Sequence, residues 1–264
     1  QFQKSIKSNK KVKSAVYALS AVTIIIVIFI WSVDKNLFGL FGASPQMNDL
    51  MNPVQMEASE MYSDDGKLIG RIYIENRSLI TYDELSPILI ETLVNTEDKR
   101  FYEHNGIDYY GLLAAIKDAV KGNARGASTI SQQLVKNLFK VRTDYTNGFL
   151  CRVPIIKTLI IKIKECLGAI RIEERYTKDE ILTMYFNTVY FGNRAYGIKM
   201  ASHRYFGVLP KDLTYDQAAV IIGILKATTY YDPIRNPENN LKRRNTILRN
   251  LQDGNKSVGH NKRQ

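Results

Sequence analysis

The most prominent pattern in the chain is an uncharged run of nineteen residues at positions 15–33. At about 1.5 Å per residue, a helix of this length crosses roughly the 30 Å hydrocarbon core of a bilayer. Tyr17 and Trp31 lie near its two ends, where aromatic side chains favour the membrane interface. The pattern therefore predicts a transmembrane helix over residues 15–33, preceded by a basic tail over residues 1–14.

The flanking charges predict the orientation of this helix. Residues 1–13 hold five lysines and no acidic residue, which favours a cytoplasmic N-terminus and an extracytoplasmic chain after Asp34. The alternative is a cleaved signal peptide, but its apolar region usually has only about 7–15 residues. Gly42-Ala43-Ser44 is a weak candidate for a cleavage site. We therefore expect a retained, single-pass anchor in the cytoplasmic (inner) membrane.

Beyond the anchor, the pattern of breaks and periodic segments predicts a mainly α domain. Glycines and prolines interrupt residues 34–56, so this stretch is expected to be a juxtamembrane linker. Short apolar runs flank Asp65-Gly66 and predict a small β-hairpin. The domain is expected to cover residues 57–252, with a last helix over residues 237–251 and a disordered tail at 253–264. Its helices should open at capping signals: Ser86-Pro87, Asp108, Thr177 with Glu180, and Thr214 with Gln217.

Composition and charge exclude several classes of protein. Hydrophobic residues make up 45% of the 264 residues and charged residues 24%, which excludes a wholly disordered chain. With two cysteines and three histidines, neither a disulfide framework nor a His/Cys metal cage is expected. The net charge of +11 comes from the ends, +5 from residues 1–13 and +6 from residues 242–264, so residues 14–241 are neutral. A neutral body lacks the basic face that nucleic acid requires, and no nucleic-acid partner is expected.

Two stretches carry residue types suited to catalysis or anion binding, each with a structural alternative. Glu97 stands at a predicted helix end, where it could act as a general base or join an ion-pair cluster with its neighbours. In residues 126–139 a small-residue loop enters a helix. Ser128 and Thr129 there either present backbone N–H groups to phosphate or sugar oxygens or only cap the helix.

A third stretch, residues 157–165, combines cations with a carboxylate. Lys157, Lys162 and Glu165 fall near one face of a predicted helix. Such a face could neutralise a polyanionic leaving group, or its charges could form ordinary salt bridges.

The order of these stretches resembles the peptidoglycan glycosyltransferases of glycosyltransferase family 51. These are the glycan-polymerising domains of class A penicillin-binding proteins and their monofunctional relatives. The resemblance covers about residues 57–252, behind the predicted anchor. The matching segments are Glu97-Asp98-x-x-Phe101-x-x-His104-x-Gly106-x-Asp108, then Gly126-Ala127-Ser128-Thr129-Ile130-Ser131-Gln132-Gln133-Leu134-Val135-Lys136-Asn137, then Lys162-x-x-Glu165, then Lys178-Asp179-Glu180-Ile181-Leu182-x-x-Tyr185-x-Asn187-x-Val189-Tyr190-x-Gly192, and Arg243-Arg244-Asn245-Thr246-Ile247-Leu248.

The resemblance implies a lysozyme-like fold and a reaction at the membrane. A partly membrane-inserted subdomain would fall within about residues 108–160, with Phe139, Val141, Phe149 and Leu150 as candidates for insertion. The implied reaction polymerises lipid II, with a growing lipid-linked glycan chain as donor. It inverts the anomeric carbon and releases undecaprenyl pyrophosphate. Lipid II, the glycan chain, the membrane and other cell-wall synthesis proteins are the implied partners.

The resemblance also implies roles for individual residues. Glu97 and Glu165 would be the catalytic carboxylates, with Glu97 as the base. Glu165 would orient the nearby cations or a divalent metal, Mg²⁺ or Mn²⁺. The implied substrate-binding residues are Ser128, Thr129, Gln132, Gln133, Lys136, Lys157, Lys162 and Asn187.

The chain departs from the family pattern in the third motif. The motif usually opens with Arg-Lys, but here the pair is Ile161-Lys162, and an arginine common about four residues earlier is replaced by Lys157. A lysine lacks the bidentate fork of a guanidinium, so this change is expected to weaken pyrophosphate binding. Residues 144–154 form an additional stretch, and its Cys151 is expected, like Cys166, to be a free or buried thiol.

Two other functions remain as alternatives. One is a lytic enzyme of lysozyme-like fold that acts on finished glycan. The other is a catalytically impaired, membrane-anchored scaffold for the cell-wall machinery. No transpeptidase is expected from these residues, because Ser8-x-x-Lys11 lies on the predicted cytoplasmic side and no Lys-Thr-Gly occurs. The chain is thus expected to be a monofunctional enzyme or the front portion of a bifunctional one.

Overall fold

The computed structural model describes residues 2–45, 59–63, 65, 68–72, 79–122 and 126–261, with side chains within 12–45, 79–122 and 126–253 and at residues 63 and 65. Most of this part of the chain is helical, so the prediction of a mainly α fold is confirmed. Its helices are α1 (Phe2–Asp34), α2 (Pro87–Glu97), α3 (Tyr109–Val120), α4 (Ile130–Leu138), α5 (Pro154–Glu173), α6 (Lys178–Thr188), α7 (Ile198–Phe206), α8 (Tyr215–Ile224) and α9 (Pro237–Asn261).

The chain divides into two compact units. We call residues 1–46 and 140–167 the anchor unit, and residues 47–139 and 168–264 the head unit. Helix α1 belongs to the anchor unit, and the boundary between the units falls within α5.

Helix α1 contains the predicted membrane span. Its segment Val12–Asp34 has a mean hydropathy of 2.5 and is long and apolar enough to cross a membrane. The helix begins at Phe2 and so includes most of the basic tail expected over residues 1–14. No glycine or proline occurs between Phe2 and Asp34, so no residue in the sequence breaks the helix there.

The anchor unit has its own small core just after α1. Val33, Phe41, Cys151 and Ile160 are buried together. The backbone folds back because Asn36 and Phe38 adopt left-handed conformations, with φ of 48° and 54°. The core thus joins the end of α1 to the third-motif helix α5.

A close backbone contact holds the additional stretch, residues 144–154, in the anchor unit. The Leu150 N–H donates to the Leu40 carbonyl at 2.9 Å. A Cβ at Gly148 would overlap the backbone nitrogen of Gly42, so glycine is required where these two segments meet. Part of the predicted linker is therefore a packed structural element.

The head unit is a helical domain whose starts match the capping signals in the sequence. Ser86 accepts from the Ile88 N–H and opens α2, and Asp108 accepts from the Gly111 N–H and opens α3. Capping boxes open α6 and α8, formed by Thr177 with Glu180 and by Thr214 with Gln217. Helices α2, α8 and α9 pack together, and α4 packs on α6. The buried side chains include Leu89, Leu93, Phe101, Ile130, Leu134, Ile181, Leu182, Tyr185, Phe186, Ile221 and Ile222.

The predicted hairpin is present. Strands β1 (Ser59–Tyr62) and β2 (Leu68–Ile72) are antiparallel, with Ser59 opposite Ile72 and Met61 opposite Gly70. Asp65 lies in the turn between them, as the sequence predicts.

The apolar residues expected to enter the membrane are mostly buried in protein. Phe139 and Val141 are 7% and 0% exposed, and Leu150 packs against the core of the anchor unit. Phe149 alone of the four is exposed, at 62%. Apolar character marks a residue that leaves water, but it does not distinguish lipid from a protein core.

The chain end is more ordered than the sequence predicts, and both cysteines are free. Helix α9 continues to Asn261 and so extends through most of the tail expected to be disordered at 253–264. No proline follows Pro237, and the glycines in the tail do not end the helix. Cys151 and Cys166 are free, which confirms the prediction for both thiols.

Candidate active site

Glu97 ends helix α2 in the head unit and is held by a hydrogen-bonded row of side chains. The Gln133 side-chain amide donates to Glu97 Oε2 at 3.0 Å. The Tyr185 hydroxyl in turn donates to Gln133 Oε1 at 3.1 Å. The Glu97 side chain is 17% exposed, so the carboxylate is oriented from the protein side and still reaches solvent.

Tyr185 is a fixed donor at the inner end of this row. Its side chain is fully buried, and burial together with the negative charge of Glu97 raises the pKa of its phenol well above the ordinary range. The hydroxyl therefore stays protonated and keeps donating to Gln133. Because it fixes which way the Gln133 amide points, it aims the NH₂ group at Glu97.

Arg243 brings a positive charge to the other oxygen of Glu97. Its Nη2 lies 3.9 Å from Glu97 Oε1. The Arg243 Nε is buried and has no hydrogen-bond partner among the described residues. The sequence marks Arg243 only as part of the fifth motif, and it gives no indication that this side chain reaches Glu97.

Other residues of the first motif hold the backbone around Glu97 through hydrogen bonds to the second motif and to His104. Asp98 accepts from the Ile130 N–H at 2.9 Å and from His104 Nε2 at 3.0 Å. The Gly106 carbonyl accepts from Thr129 Oγ1 at 2.7 Å and from Gln132 Nε2 at 3.3 Å. These bonds tie the loop after α2 to the start of α4, which carries the second motif.

The predicted substrate-binding residues of the head unit differ in what they reach. Thr129 and Gln132 are 2% and 3% exposed, and both side chains bind the Gly106 carbonyl. Ser128, Gln133 and Lys136 are half-buried. The Asn187 side-chain oxygen accepts from the Ile80 N–H at 3.0 Å, and its NH₂ group donates to the Ile80 carbonyl at 2.9 Å.

The predicted third-motif residues lie in the anchor unit. Glu165 is 3% exposed, and Lys162 Nζ lies 3.0 Å from its Oε2. Arg142 Nε lies 3.8 Å from Glu165 Oε1. Lys157 is half-buried on the same helix. Arg142 was missed by the sequence analysis because no motif or periodicity relates it to the distant Glu165.

Lys164, beside Glu165, is a buried cation that the sequence analysis did not single out. It is 1% exposed, and the three N–H groups of its ammonium are shared among four carbonyls within hydrogen-bond distance, Phe41 at 2.8 Å, Gly42 at 2.9 Å, Ala43 at 2.7 Å and Tyr145 at 2.7 Å. Burial lowers the pKa of Lys164 to about 8. The ammonium ties α5 to the segment that follows α1 and to the loop that carries Arg142.

A cavity of about 600 Å³ runs beside α2, the helix that ends at Glu97. Its polar lining includes Tyr82, Glu91, Asn95 and Tyr102. Burial and a hydrogen bond to Asp179 raise the pKa of Tyr82 to about 12, so its hydroxyl stays protonated. The head unit thus has a groove with aromatic and polar groups along α2.

The side chains around Glu165 do not fit a resident divalent cation. Within the described residues, no three Asp, Glu, His or Cys side chains come close enough to hold a metal. Resident Mg²⁺ or Mn²⁺ needs several oxygen ligands, and the cations Lys162 and Arg142 already flank the Glu165 carboxylate. We therefore assign no metal to it.

Comparison with known proteins identifies the family. The family model described as Transglycosylase matches residues 65–252. Over 224 residues the chain is 38% identical to penicillin-binding protein 1A of Escherichia coli (strain K12), covering 83% of this chain and 25% of that protein. Over 198 residues it is 39% identical to penicillin-binding protein 1F of Bacillus subtilis (strain 168), covering 74% of this chain and 26% of that protein.

A solved structure is also similar, and the relatives are longer than this chain. The crystal structure of penicillin-binding protein 1A from Haemophilus influenzae matches with a TM-score of 0.39 and 20% identity, over 76% of this chain and 19% of that chain. The chain spans about a quarter of the length of the curated relatives it matches. The family match covers most of the sequence and all five motifs. The chain therefore belongs to the transglycosylase family, the peptidoglycan glycosyltransferases that its motifs resemble.

Proposed function

We propose that this chain polymerises lipid II into glycan strands and releases undecaprenyl pyrophosphate, with a growing lipid-linked glycan as donor. The observation that carries the proposal is the way the Glu97 carboxylate is held and exposed. Its carboxylate is partly exposed, and Gln133 and Arg243 hold it from the protein side. A carboxylate held in this way can take a proton from a hydroxyl that binds in front of it.

The reaction needs a base because a sugar hydroxyl is a weak nucleophile. Glu97 takes the proton of the 4-hydroxyl of lipid II as that oxygen bonds to the anomeric carbon of the donor. The bond from the anomeric carbon to the pyrophosphate oxygen breaks on the opposite face, so the configuration inverts. Gln133 keeps the Glu97 carboxylate oriented during this transfer, and Tyr185 keeps Gln133 oriented.

The leaving group needs charge neutralisation more than protonation. Pyrophosphate gains negative charge as the glycosidic bond breaks, and nearby cations stabilise that charge. Lys136, Lys157 and Lys162 take this role, and Glu165 holds Lys162 through the 3.0 Å contact. Ser128, half-buried just before α4, binds sugar or phosphate oxygens in this proposal.

Within the second and fourth motifs, three predicted binding residues act through the backbone they hold. Thr129 and Gln132 fix the start of α4 through the Gly106 carbonyl. Asn187 fixes the chain at Ile80. Their contribution to binding is to shape the site.

The membrane delivers the substrate, because a polyprenyl lipid stays in the bilayer. Helix α1 anchors the chain, with its N-terminus inside the cell. Helix α3 in the head unit also exposes large apolar side chains, which would suit contact with lipid. These are Tyr109, Tyr110, Leu113, Ile116 and Val120.

The test supplies the detergent-solubilised chain with fluorescent lipid II and, separately, with finished glycan. Glycan ladders from lipid II, with undecaprenyl pyrophosphate released, are the expected result. Cleavage of finished glycan would instead indicate a lytic enzyme. If neither substrate changed although lipid II bound, the chain would be a scaffold and the proposal would be wrong.

A further inference from the structure

We propose that Arg142 is a further cation for the pyrophosphate of the leaving group, which it binds together with Lys162 on either side of Glu165. This inference rests on the proposed function, because that function supplies the pyrophosphate. It also assigns to this chain a residue that lies outside all five motifs.

The two cations lie on opposite sides of one carboxylate. Lys162 Nζ lies 3.0 Å from Glu165 Oε2, and Arg142 Nε lies 3.8 Å from Glu165 Oε1. Each oxygen of one carboxylate therefore faces a different cation. The carboxylate keeps both positive groups in one place, as a pyrophosphate with two charged phosphates requires.

The two cations are also more exposed than the carboxylate between them. The Glu165 side chain is 4% exposed, whereas those of Lys162 and Arg142 are 42% and 67% exposed. A dissolved anion therefore meets the two cations before it meets the carboxylate. Arg142 is not hydrogen-bonded to Glu165 at 3.8 Å, and Glu165 Oε1 has no hydrogen-bond partner in the described residues. The guanidinium thus retains its donors for a ligand.

Hydrogen bonds hold the loop that carries Arg142 in place. The Thr143 and Asp144 N–H groups both donate to the Lys140 carbonyl, at 2.9 and 3.1 Å, which closes a turn around Arg142. The Lys164 ammonium binds the Tyr145 carbonyl at 2.7 Å and so fastens this turn to α5. The backbone of Arg142 is thereby placed, while its long side chain stays in solvent.

Arg142 also gives this group of side chains a net positive charge. Lys162 and Glu165 alone sum to zero, and Arg142 makes the group +1. Ile161, where the third motif usually has arginine, cannot bind an anion. Arg142 supplies the planar fork that binds two phosphate oxygens at once, which a lysine cannot do. Arg142, between the second motif and the additional stretch, therefore compensates for the change at position 161.

The test measures binding of inorganic pyrophosphate to the full detergent-solubilised chain by isothermal titration calorimetry. Arg142→Gln is compared with Arg152→Gln, which removes the same charge from an exposed arginine of the same unit that lies over Phe149. The expected result is a Kd at least about tenfold higher for Arg142→Gln and unchanged for Arg152→Gln. Equal Kd values for the two variants, or no binding by the parent chain, would overturn the proposal.

Two further variants separate positioning from charge and guard against misfolding. Arg142→Lys keeps the charge but loses the fork, so its Kd should lie between those of the parent and Arg142→Gln. Adding Ile161→Arg to Arg142→Gln should restore binding. If Arg142→Lys bound pyrophosphate no more tightly than Arg142→Gln, and Ile161→Arg restored no binding, the proposal would be contradicted. Because binding is measured without lipid II, a chain that binds pyrophosphate through Arg142 but makes no glycan would refute only the proposed function.

Discussion

The Gln133 side-chain amide lies 3.0 Å from Glu97 Oε2 and donates to it, and this contact joins the first and second motifs. The contact links the end of α2 to one face of α4, between residues 36 positions apart in the sequence. It keeps the carboxylate in one orientation at the point where the acceptor hydroxyl would bind.

Replacing Gln133 by alanine should slow catalysis more than it weakens substrate binding. Loss of one hydrogen bond to a charged group costs about 1.5–3 kcal/mol, so kcat should fall by about ten- to a hundredfold. The measurement is initial rates of glycan formation at several lipid II concentrations. Gln252→Ala, at an exposed position on α9, is the control and should leave both constants unchanged. A rise in KM with unchanged kcat would contradict the orienting role.

Tyr185→Phe should act through Gln133. The variant loses the 3.1 Å hydrogen bond and leaves Gln133 Oε1 without that donor, so activity should fall several-fold and stability by about 1 kcal/mol. In a double-mutant cycle, Gln133→Ala with Tyr185→Phe should be no slower than Gln133→Ala alone. Independent, additive losses would show that Tyr185 does not work through Gln133. Tyr230→Phe, at an exposed tyrosine, is the matched control.

Lys164 should give stability a measurable dependence on pH. Burial lowers its pKa from 10.5 to about 8, so below pH 8 the lysine is charged in both the folded and the unfolded state. Between pH 8 and 10.5 the unfolded state binds more protons, and the free energy of unfolding should rise with pH by up to about 3 kcal/mol.

The measurement for Lys164 compares chemical unfolding of the parent with that of Lys164→Met. Other titrating groups are common to both proteins, so the difference between their unfolding free energies isolates Lys164. This difference should change in favour of the parent as pH rises from 8 to 10.5. A difference that stays constant or changes in favour of the variant would show that the pKa of Lys164 is not lowered.

Gly106→Ala should destabilise the head unit strongly. Gly106 has φ of +86°, and an added Cβ would lie 2.8 Å from the backbone carbon of Ala169. The clash should displace the carbonyl that binds Thr129 and Gln132, and the combined cost should exceed about 2 kcal/mol. Gly122→Ala is the control, because φ is +81° there but no atom of the described residues lies within 4 Å of the added Cβ. Thermal unfolding should rank the parent first, Gly122→Ala second and Gly106→Ala last, and equal midpoints for the two variants would contradict the packing argument.

The orientation of the anchor predicts which residues can be labelled from outside the cell. In intact spheroplasts, a membrane-impermeant maleimide should label Lys211→Cys in the head unit, whereas Lys7→Cys should react only after permeabilisation. Background from the parent should be low, because Cys151 is buried and burial raises the pKa of the Cys166 thiol. Labelling of Lys7→Cys in intact spheroplasts would reverse the proposed topology.

Local signals in the sequence were sufficient for the helix starts and for the residues at their ends. The caps at Ser86, Asp108, Thr177 and Thr214 depend on neighbours within three residues, and the structure confirms each of them. The same local reasoning placed Glu97 at the end of a helix.

Contacts between distant segments could not be predicted in this way. Tyr185 reaches Gln133, and Arg243 and Arg142 reach their carboxylates, only after the chain has folded, so no spacing in the sequence relates them. Phe139 and Val141 show the converse limit, since their apolar character suggested lipid although both pack inside protein. The sequence thus identifies which residues are chemically capable, and the fold determines which of them meet.

The most direct test of the central claim compares single-turnover rates of Glu97→Gln and Glu103→Gln with fluorescent lipid II and a lipid-linked glycan donor. Glu103 is an exposed carboxylate of the same motif, six residues along the chain. If Glu97 is the base, Glu97→Gln should bind lipid II normally but lose at least about a hundredfold in rate, while Glu103→Gln matches the parent. Glycan formation by Glu97→Gln at the parental rate would contradict the account.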